Sequence, residues 1–176
     1  MTGVDVIVQG KDVIRVANGH SMMPKVTGLG LWGFLRAAKA YVVEDPAFGL
    51  VGYGCRIERT ADEIRAFPKD GVKKRLRFVA EKIDIEAAAG EIVSAALNAK
   101  CGDLELQMAD STNLVKIVRL AIKGLRPGDY EVSFDESKER RTVRDVLRLD
   151  LPFERAKVIR VQKGSWIGGA GEETAN

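Results

Sequence analysis

Apolar and polar residues alternate along much of the chain between residues 73 and 132. The clearest run has apolar side chains at every second position, at Leu104, Leu106 and Met108. A second run has the same period, at Val118, Leu120 and Ile122. Because successive side chains of a β-strand point to opposite faces, this period predicts strands with one buried and one solvated face. A sheet of that kind is usually antiparallel.

Turn residues divide the alternating region into a series of predicted strands. Six of them cover residues 73–79, 82–86, 91–97, 103–108, 115–122 and 129–134. Further strands are predicted at 51–58, 143–151 and 156–161, together with a short hairpin over 4–8 and 13–16. Residues 61–67 are ambiguous, because their apolar residues have helical spacing but the segment is short, and the charged residues 135–139 are expected to be exposed. Strands at this spacing predict a sandwich of two sheets, with a barrel as the alternative.

One segment has the period of a helix instead. Its apolar positions fall on one face of a 3.6-residue period, at Leu31, Phe34, Leu35, Ala38 and Val42. Pro46 ends the segment, because the residue before a proline avoids helical backbone. The predicted helix covers residues 31–43, and its apolar stripe is expected to pack on the sheet. The predicted fold class is therefore mainly β, an antiparallel β-sandwich with one N-terminal amphipathic helix.

Length and composition agree with a single folded domain. The chain has 176 residues, of which 45% are hydrophobic, which is enough for a sizeable core and argues against wholesale disorder. We expect one β-rich domain over residues 1–163. Residues 164–176 contain several glycines and few apolar side chains, so they are predicted to form a flexible C-terminal tail.

The charged residues are numerous but nearly balanced. Lys and Arg number 28, Asp and Glu number 25, and the net charge is +3. These charges are interspersed, so we expect no nucleic-acid partner. No basic region followed by an apolar run opens the chain, and no apolar stretch is long enough to span a bilayer. We therefore expect no membrane partner and a cytoplasmic location.

Two cysteines, Cys55 and Cys101, are present, and they do not form a CxxC pair. A metal site is therefore not expected, and no cofactor is predicted. Two buried free thiols are the preferred interpretation. A disulfide between them is the alternative if their Cα atoms lie within about 7 Å of each other.

Residues 18–25 and 49–55 contain the side chains most suited to binding a ligand. The first segment holds the chain's single histidine beside short hydrogen-bonding side chains, and the second combines glycines with a tyrosine. The predicted saccharide-binding residues are Asn18, His20, Ser21, Lys25 and Tyr53. No catalytic residue is predicted, because an adjacent histidine and serine cannot act as base and nucleophile without a third group. The competing interpretation is that the glycines serve tight packing between helix and sheet.

Three segments carry a resemblance to a known group of proteins. They are residues 16–25 (VANGHSMMPK), 30–38 (GLWGFLRAA) and 45–55 (DPAFGLVGYGC). Together they resemble the C-terminal part of uncharacterised bacterial proteins similar to six-hairpin glycosidases. The resemblance implies a last toroid helix followed by a β-sandwich. It implies no catalytic residue in this chain, which lacks the other helices of such a toroid.

These observations lead to competing functional hypotheses. The first is a non-catalytic, carbohydrate-associated β-sandwich module, as a fragment or stand-alone relative of a glycosidase-like protein, with a saccharide as its partner. The alternative is a structural or assembly protein that binds a partner chain or a second copy of itself through its helix face or a sheet edge. A small enzyme using His20 and carboxylates is the third.

Overall fold

The computed structural model describes residues 4–9, 12–17, 39–46, 48–69, 71–110, 114–153 and 156–164. These residues form strands and turns and contain no helix. The strands are β1 (Val4–Gln9), β2 (Asp12–Ala17), β3 (Ala40–Asp45), β4 (Gly49–Tyr53), β5 (Cys55–Arg59), β6 (Glu63–Pro68), β7 (Arg75–Phe78), β8 (Ile83–Ala89), β9 (Glu91–Asn98), β10 (Leu104–Ala109), β11 (Ile117–Lys123), β12 (Gly128–Phe134), β13 (Ser137–Val143), β14 (Val146–Pro152) and β15 (Ala156–Lys163).

Most of these strands belong to two sheets. The seven-stranded sheet has the order β13-β12-β15-β10-β9-β6-β5, and the six-stranded sheet has the order β14-β11-β8-β7-β3-β4. Strands β1 and β2 pair as the predicted hairpin, and β1 runs alongside β4. Strand pairs in the described residues are antiparallel, except that β3 and β7 are parallel. Neither large sheet closes on itself, so the predicted two-sheet architecture is confirmed for the described residues and the barrel is not.

The chain passes from one sheet to the other at both sides of the sandwich. On one side, the outer strand β4 leads directly into β5, the outer strand of the other sheet. Gly54 makes this corner with a φ of +67°, in the left-handed region that glycine adopts most readily. On the other side, residues 144 and 145 join β13 to β14. The single strand predicted over 51–58 is therefore wrong, because the chain bends at Gly54 and changes sheet.

Alternate side chains fill the space between the sheets. The apolar positions of both alternating runs are buried, as predicted: Leu104, Leu106, Met108, Val118, Leu120 and Ile122. The largest fully buried side chain is Phe78 of β7, which belongs to one continuous apolar cluster with residues of both sheets. Each fully buried side chain of this size contributes roughly 1.5–3 kcal/mol through loss of apolar surface from water.

The C-terminal part of the predicted helix is a β-strand in the structure. Residues 31–38 lie outside the described residues, so that part of the prediction is not tested. Residues 40–43 are extended, because they belong to β3. Ala40 and Val42 point into the core and Tyr41 points outward, which is the two-residue period of a strand. Pairing with β4 and β7 supplies the backbone hydrogen bonds that decide between the two structures.

Two strands of the structure were not predicted from the sequence. The ambiguous residues 61–67 contain most of β6, whose side chains alternate between buried and partly exposed positions. The charged residues 135–139 are at least partly exposed, as predicted, and residues 137–139 begin β13, in which only Val143 is buried. Because β13 is an outer strand with water on both sides, it has no apolar alternation by which the sequence could reveal it.

Lys157 is a buried cation in this apolar interior, with only 6% of its surface exposed. Its ammonium group donates a hydrogen bond to the Pro152 carbonyl and lies 2.8 Å from the Asp135 carboxylate. The same group lies 5.0 Å from the centre of the Phe134 ring. These partners replace the water that the charge loses on burial, and they tie β15 to the end of β14 and to the β12–β13 turn.

The structure tests only part of two predictions, the flexible C-terminal tail and the lack of a membrane partner. The predicted tail over 164–176 lies outside the described residues beyond Gly164. Within the described ranges, the structure contains no helix with the length and apolar character needed to cross a membrane.

Replacing Phe78 by Ala should lower the free energy of unfolding by about 3–5 kcal/mol, because the change leaves a cavity between the sheets. Urea denaturation followed by circular dichroism measures this change. Ile117 is apolar but 45% exposed, so Ile117→Ala is the matched control and should change stability by about 0.5 kcal/mol or less. Equal effects of the two substitutions would contradict the position assigned to Phe78.

Candidate ligand-binding face

A row of outward side chains crosses the whole six-stranded sheet. Strand register places one residue of each strand in this row, in the order Tyr53, Tyr41, Arg77, Asp84, Lys123 and Val146. Each member lies beside the next because paired positions on neighbouring strands share a face. The row joins residues that are far apart in sequence and combines aromatic rings with charges.

Two tyrosines occupy the end of the row at the outer strand β4. Tyr41 of β3 is opposite Tyr53 of β4, and Tyr41 is 37% exposed while Tyr53 is partly exposed. Directly opposite residues in an antiparallel pair have Cβ atoms about 4.5–5.5 Å apart. The register therefore places these two aromatic side chains next to each other, and rings with polar hydroxyl groups suit the apolar C–H face and the hydroxyls of a sugar ring.

The carboxylates in the middle of this face are held by ion pairs. Asp84 lies 2.9 Å from the Lys39 ammonium group and 3.1 Å from the Arg77 guanidinium group. Glu86, two residues along β8, lies 2.8 Å from Arg75. The predicted solvated sheet face is thus confirmed for Arg75 and Arg77. Partial exposure keeps these pairs modest in energy, so their main effect is to fix side-chain positions.

A depression of about 610 Å³ opens on the same face toward β14. Its lining residues are Glu86, Ala88, Arg119, Leu120, Ala121, Lys123, Arg141, Arg148 and Asp150. Ala88 has no partner on β11, because the register shifts by one residue between Leu120 and Arg119. Such a β-bulge bends a strand and changes the direction of its side chains. The bulge and the short side chains of Ala88 and Ala121 leave the space that the longer residues surround.

The depression carries more positive than negative charge. Four of its lining residues are cationic and two are acidic. Arg119 pairs with Asp150 at 4.0 Å, and Arg141, which comes from the other sheet, pairs with Glu139. Lys123 and Arg148 make no ion pair with another residue of the described ranges. Their positive charges are therefore available to an anionic group of a ligand.

A second depression, of about 490 Å³, lies at the β12, β13 and β15 side of the seven-stranded sheet. Most of its charges are already matched: Glu131 lies 2.8 Å from Lys138, and Arg140 pairs with Asp129. Hydrogen bonds from Thr142 and Arg140 hold the pKa of Asp129 below its usual value. Because a ligand would have to replace these pairs, the face of the six-stranded sheet is the better candidate site.

Of the predicted saccharide-binding residues, Tyr53 is the one that lies within the described part of the chain. It lies on the candidate face, whereas Asn18, His20, Ser21 and Lys25 are outside the described residues, so their predicted role is not tested. In the described part of the chain, no group of three or more histidine, cysteine or acidic side chains is arranged to hold a metal ion.

The glycines around Tyr53 serve close packing of the backbone. A Cβ atom on Gly52 would lie 2.6 Å from the Cys55 carbonyl oxygen and 3.0 Å from Ile57, too close for either group to remain in place. A Cβ atom on Gly54 would lie 3.2 Å from the Val72 side chain. Close packing is therefore present at both positions, but it joins strands and turns, whereas the helix of the competing interpretation is not among the described residues.

The two cysteines have different environments. Cys55 is buried, and its thiol donates a hydrogen bond to the Tyr41 carbonyl oxygen at 3.4 Å. Burial raises the pKa of Cys55 to about 12, although the positive charge of Lys69 opposes this rise. Cys101 is an exposed free thiol, so the prediction of two free thiols agrees with the structure and the prediction that both are buried is wrong for Cys101.

Sequence reasoning missed the cationic depression, although part of its signal was present. Arg119 and Ala121 occupy the outward positions of a strand that the sequence predicts. Their neighbours in space, Arg148 and Glu86, come from β14 and β8, which are distant in sequence. A single sequence does not contain the register that brings these strands together.

A family model for DUF5695, described as a family of unknown function, matches residues 26–159. No curated protein and no solved structure matches the chain. The family match supports a relationship to uncharacterised proteins and gives no support for a glycosidase relationship.

Alkylation of the native protein with iodoacetamide at pH 8 should modify Cys101 and leave Cys55 unmodified, since the buried thiol is both inaccessible and protonated. Peptide mass spectrometry measures the two sites separately. Addition of denaturant should expose both thiols, and Cys101→Ser should abolish labelling of the native protein. Rapid labelling of Cys55 under native conditions would contradict its burial.

The same thiol makes stability depend on alkaline pH. Its folded-state pKa of about 12 exceeds the value of 9.0 for a free thiol, so above pH 9 the unfolded chain loses a proton that the folded chain keeps. The free energy of unfolding does not depend on this thiol below pH 9. Between pH 9 and pH 12 it falls by about 1.4 kcal/mol per pH unit, because deprotonation favours the unfolded chain. Cys55→Ala should reduce this slope in chemical denaturation experiments.

Proposed function

The protein belongs to DUF5695, a family of unknown function whose model matches more than half of the chain, and we propose that it is a non-catalytic saccharide-binding β-sandwich. The observation that carries the proposal is the arrangement of Tyr41 and Tyr53 on the outer face of the six-stranded sheet. These rings lie in one row with charged side chains, and the same row includes Lys123, which lines an open depression farther along the sheet. Binding sites for sugars need an aromatic surface and fixed polar groups in this proximity.

The polar groups of the face favour binding over chemistry. Asp84 and Glu86 are the central carboxylates, and each is held by a cation within 3.1 Å. Carboxylates that ion pairs hold in this way are fixed hydrogen-bond acceptors on the face. The hydroxyls of a bound sugar would donate hydrogen bonds to these carboxylates, which would orient the sugar.

The proposal also includes the relationship to six-hairpin glycosidase-like proteins that the sequence suggests. A β-sandwich without a toroid is the arrangement expected of a fragment or stand-alone relative of a six-hairpin glycosidase-like protein. In this proposal the module acts in the cytoplasm. The exposed thiol of Cys101 supports that location, since the cytosol keeps such thiols reduced.

The second candidate function is assembly with a partner chain or a second copy. Its support is the exposure of large apolar residues outside the sandwich core, in particular Leu114 at 79% and Ile117 at 45%. The charged outer strand β13 argues against assembly through that edge, because charged side chains on an edge strand oppose pairing with another strand. In this candidate function, self-association uses the apolar residues near the start of β11 rather than the edge at β13.

Replacing Tyr41 by Ala should weaken saccharide binding by about tenfold, which is the effect expected when one stacked aromatic ring is lost. The experiment is a glycan-array screen followed by calorimetric titration of the best oligosaccharide, with amide NMR shifts to locate the contacts. Phe48→Ala is the matched control, because Phe48 is an exposed aromatic residue in the β3–β4 turn and outside the row. Shifts confined to the seven-stranded sheet would place the site elsewhere and refute the proposal.

Light scattering should give a mass of 19.2 kDa, that of one chain, because the saccharide-binding proposal needs no second copy. A stable mass of twice that value would favour the assembly function. In that case Ile117→Arg should restore the single-chain mass by placing a charge in the apolar contact, whereas Val158→Arg on the other sheet is the control.

A further inference from the structure

Ala121 lies at the centre of a cluster of cations on the candidate face. Arg119 and Lys123 are the neighbouring outward residues of its own strand β11, and Arg148 is directly opposite it on β14. Glu86 is opposite it on β8. The short side chain of Ala121 leaves the space between these residues open, and this space belongs to the 610 Å³ depression.

The negative charges near this cluster are mostly committed to other partners. Glu86 lies 2.8 Å from Arg75, and Asp150 lies 4.0 Å from Arg119. Lys123 is opposite Asp84 in the strand register, but Asp84 already pairs with Lys39 and Arg77. Lys123 and Arg148 therefore have no carboxylate partner among the described residues, and a bound anion would supply one.

The same face provides two tyrosines in the row that contains Lys123. Three strand spacings separate Tyr41 from Lys123, which corresponds to about 14 Å. One sugar ring cannot reach both. A ligand that contacts both ends of the row is therefore an oligosaccharide.

We infer that this ligand is an acidic oligosaccharide, whose carboxylate binds Arg148 and Lys123 above Ala121. The inference rests on the saccharide-binding function proposed above and adds the charge of the ligand. The guanidinium group of Arg148 can donate two hydrogen bonds to one carboxylate, and Lys123 adds a point charge beside it. The rings of Tyr41 and Tyr53 contact a more distant part of the same chain.

Matched pairs of ligands separate charge from sugar recognition. Hexamers of galacturonate and of glucuronate are compared with the same hexamers after methyl esterification, which removes the negative charges and keeps the sugar chain. Hexaglutamate supplies the same number of carboxylates without sugar rings. Calorimetry gives the affinities, and amide NMR shifts of residues 119–123 and 146–150 locate the contacts.

At least one uronate hexamer should bind about tenfold more tightly than its methyl ester at low ionic strength, and this preference should shrink as salt is added. Arg148→Gln and Lys123→Gln should each weaken binding of the uronate about five- to tenfold and leave binding of the ester unchanged. Neither substitution should lower the melting temperature, since no ion pair with a described residue is lost.

Two further variants test the position of the site. Arg160→Gln removes one positive charge from the outer face of the seven-stranded sheet, where Arg160 lies 2.9 Å from Glu105. It should leave uronate binding unchanged, which separates a local effect from a change in net charge. Ala121→Leu keeps every charge but fills the space above the sheet, and it should weaken uronate binding as much as Arg148→Gln does.

Three outcomes would overturn the inference. Equal binding of uronate and ester, with no effect of Arg148→Gln, would show that the ligand is a neutral saccharide and would leave the proposed function in place. Hexaglutamate binding as tightly as the uronates, and at the same residues, would show a site for acidic peptides. Failure of every saccharide, charged or neutral, would remove the proposed function and the inference together.

Discussion

Every second side chain of the central strands is removed from water between the two sheets, at positions such as Phe78, Leu106 and Leu120. This burial is the largest favourable contribution available to a fold without helices in its described part. It also determines the strand register, because a shift by one residue would place the apolar side chains in solvent and the charged ones in the core. The rows of residues on the outer faces follow from that register.

The lateral sides of the sandwich show how the chain controls its exposed edges. Strand β4 continues into β5 through the bend at Gly54, and β13 is joined to β14 by two residues, so each side has a covalent connection between the sheets. Strand β13 is charged along most of its length, and β1 runs alongside β4. These features limit pairing with other chains, which directs attention to the faces rather than the edges as functional surfaces.

The two faces differ in how their charges are satisfied. On the seven-stranded sheet, Glu105 lies 3.3 Å from Arg65 and 2.9 Å from Arg160, so a ladder of alternating charges crosses the strands. On the six-stranded sheet, the bulge at Ala88 and the small side chain of Ala121 interrupt such a ladder and leave neighbouring cations around an open space. Two of these cations, Lys123 and Arg148, have no ion-pair partner among the described residues, and ligand binding is the physical reason we propose for them.

The sequence by itself determined the strands with one apolar face, because a two-residue period is visible wherever one side is buried, as at Leu104, Leu106 and Met108. It also determined the outward position of Arg119 and the absence of a metal-binding cysteine motif. It could not reveal β13, which is solvated on both sides, or show that residues 40–43 are extended, because strand pairing decided that structure. Only the tertiary structure decided that Tyr41 lies opposite Tyr53 and that Arg148 lies opposite Ala121. These contacts depend on register between strands distant in the chain, and a single sequence records the period of each strand but not its neighbour.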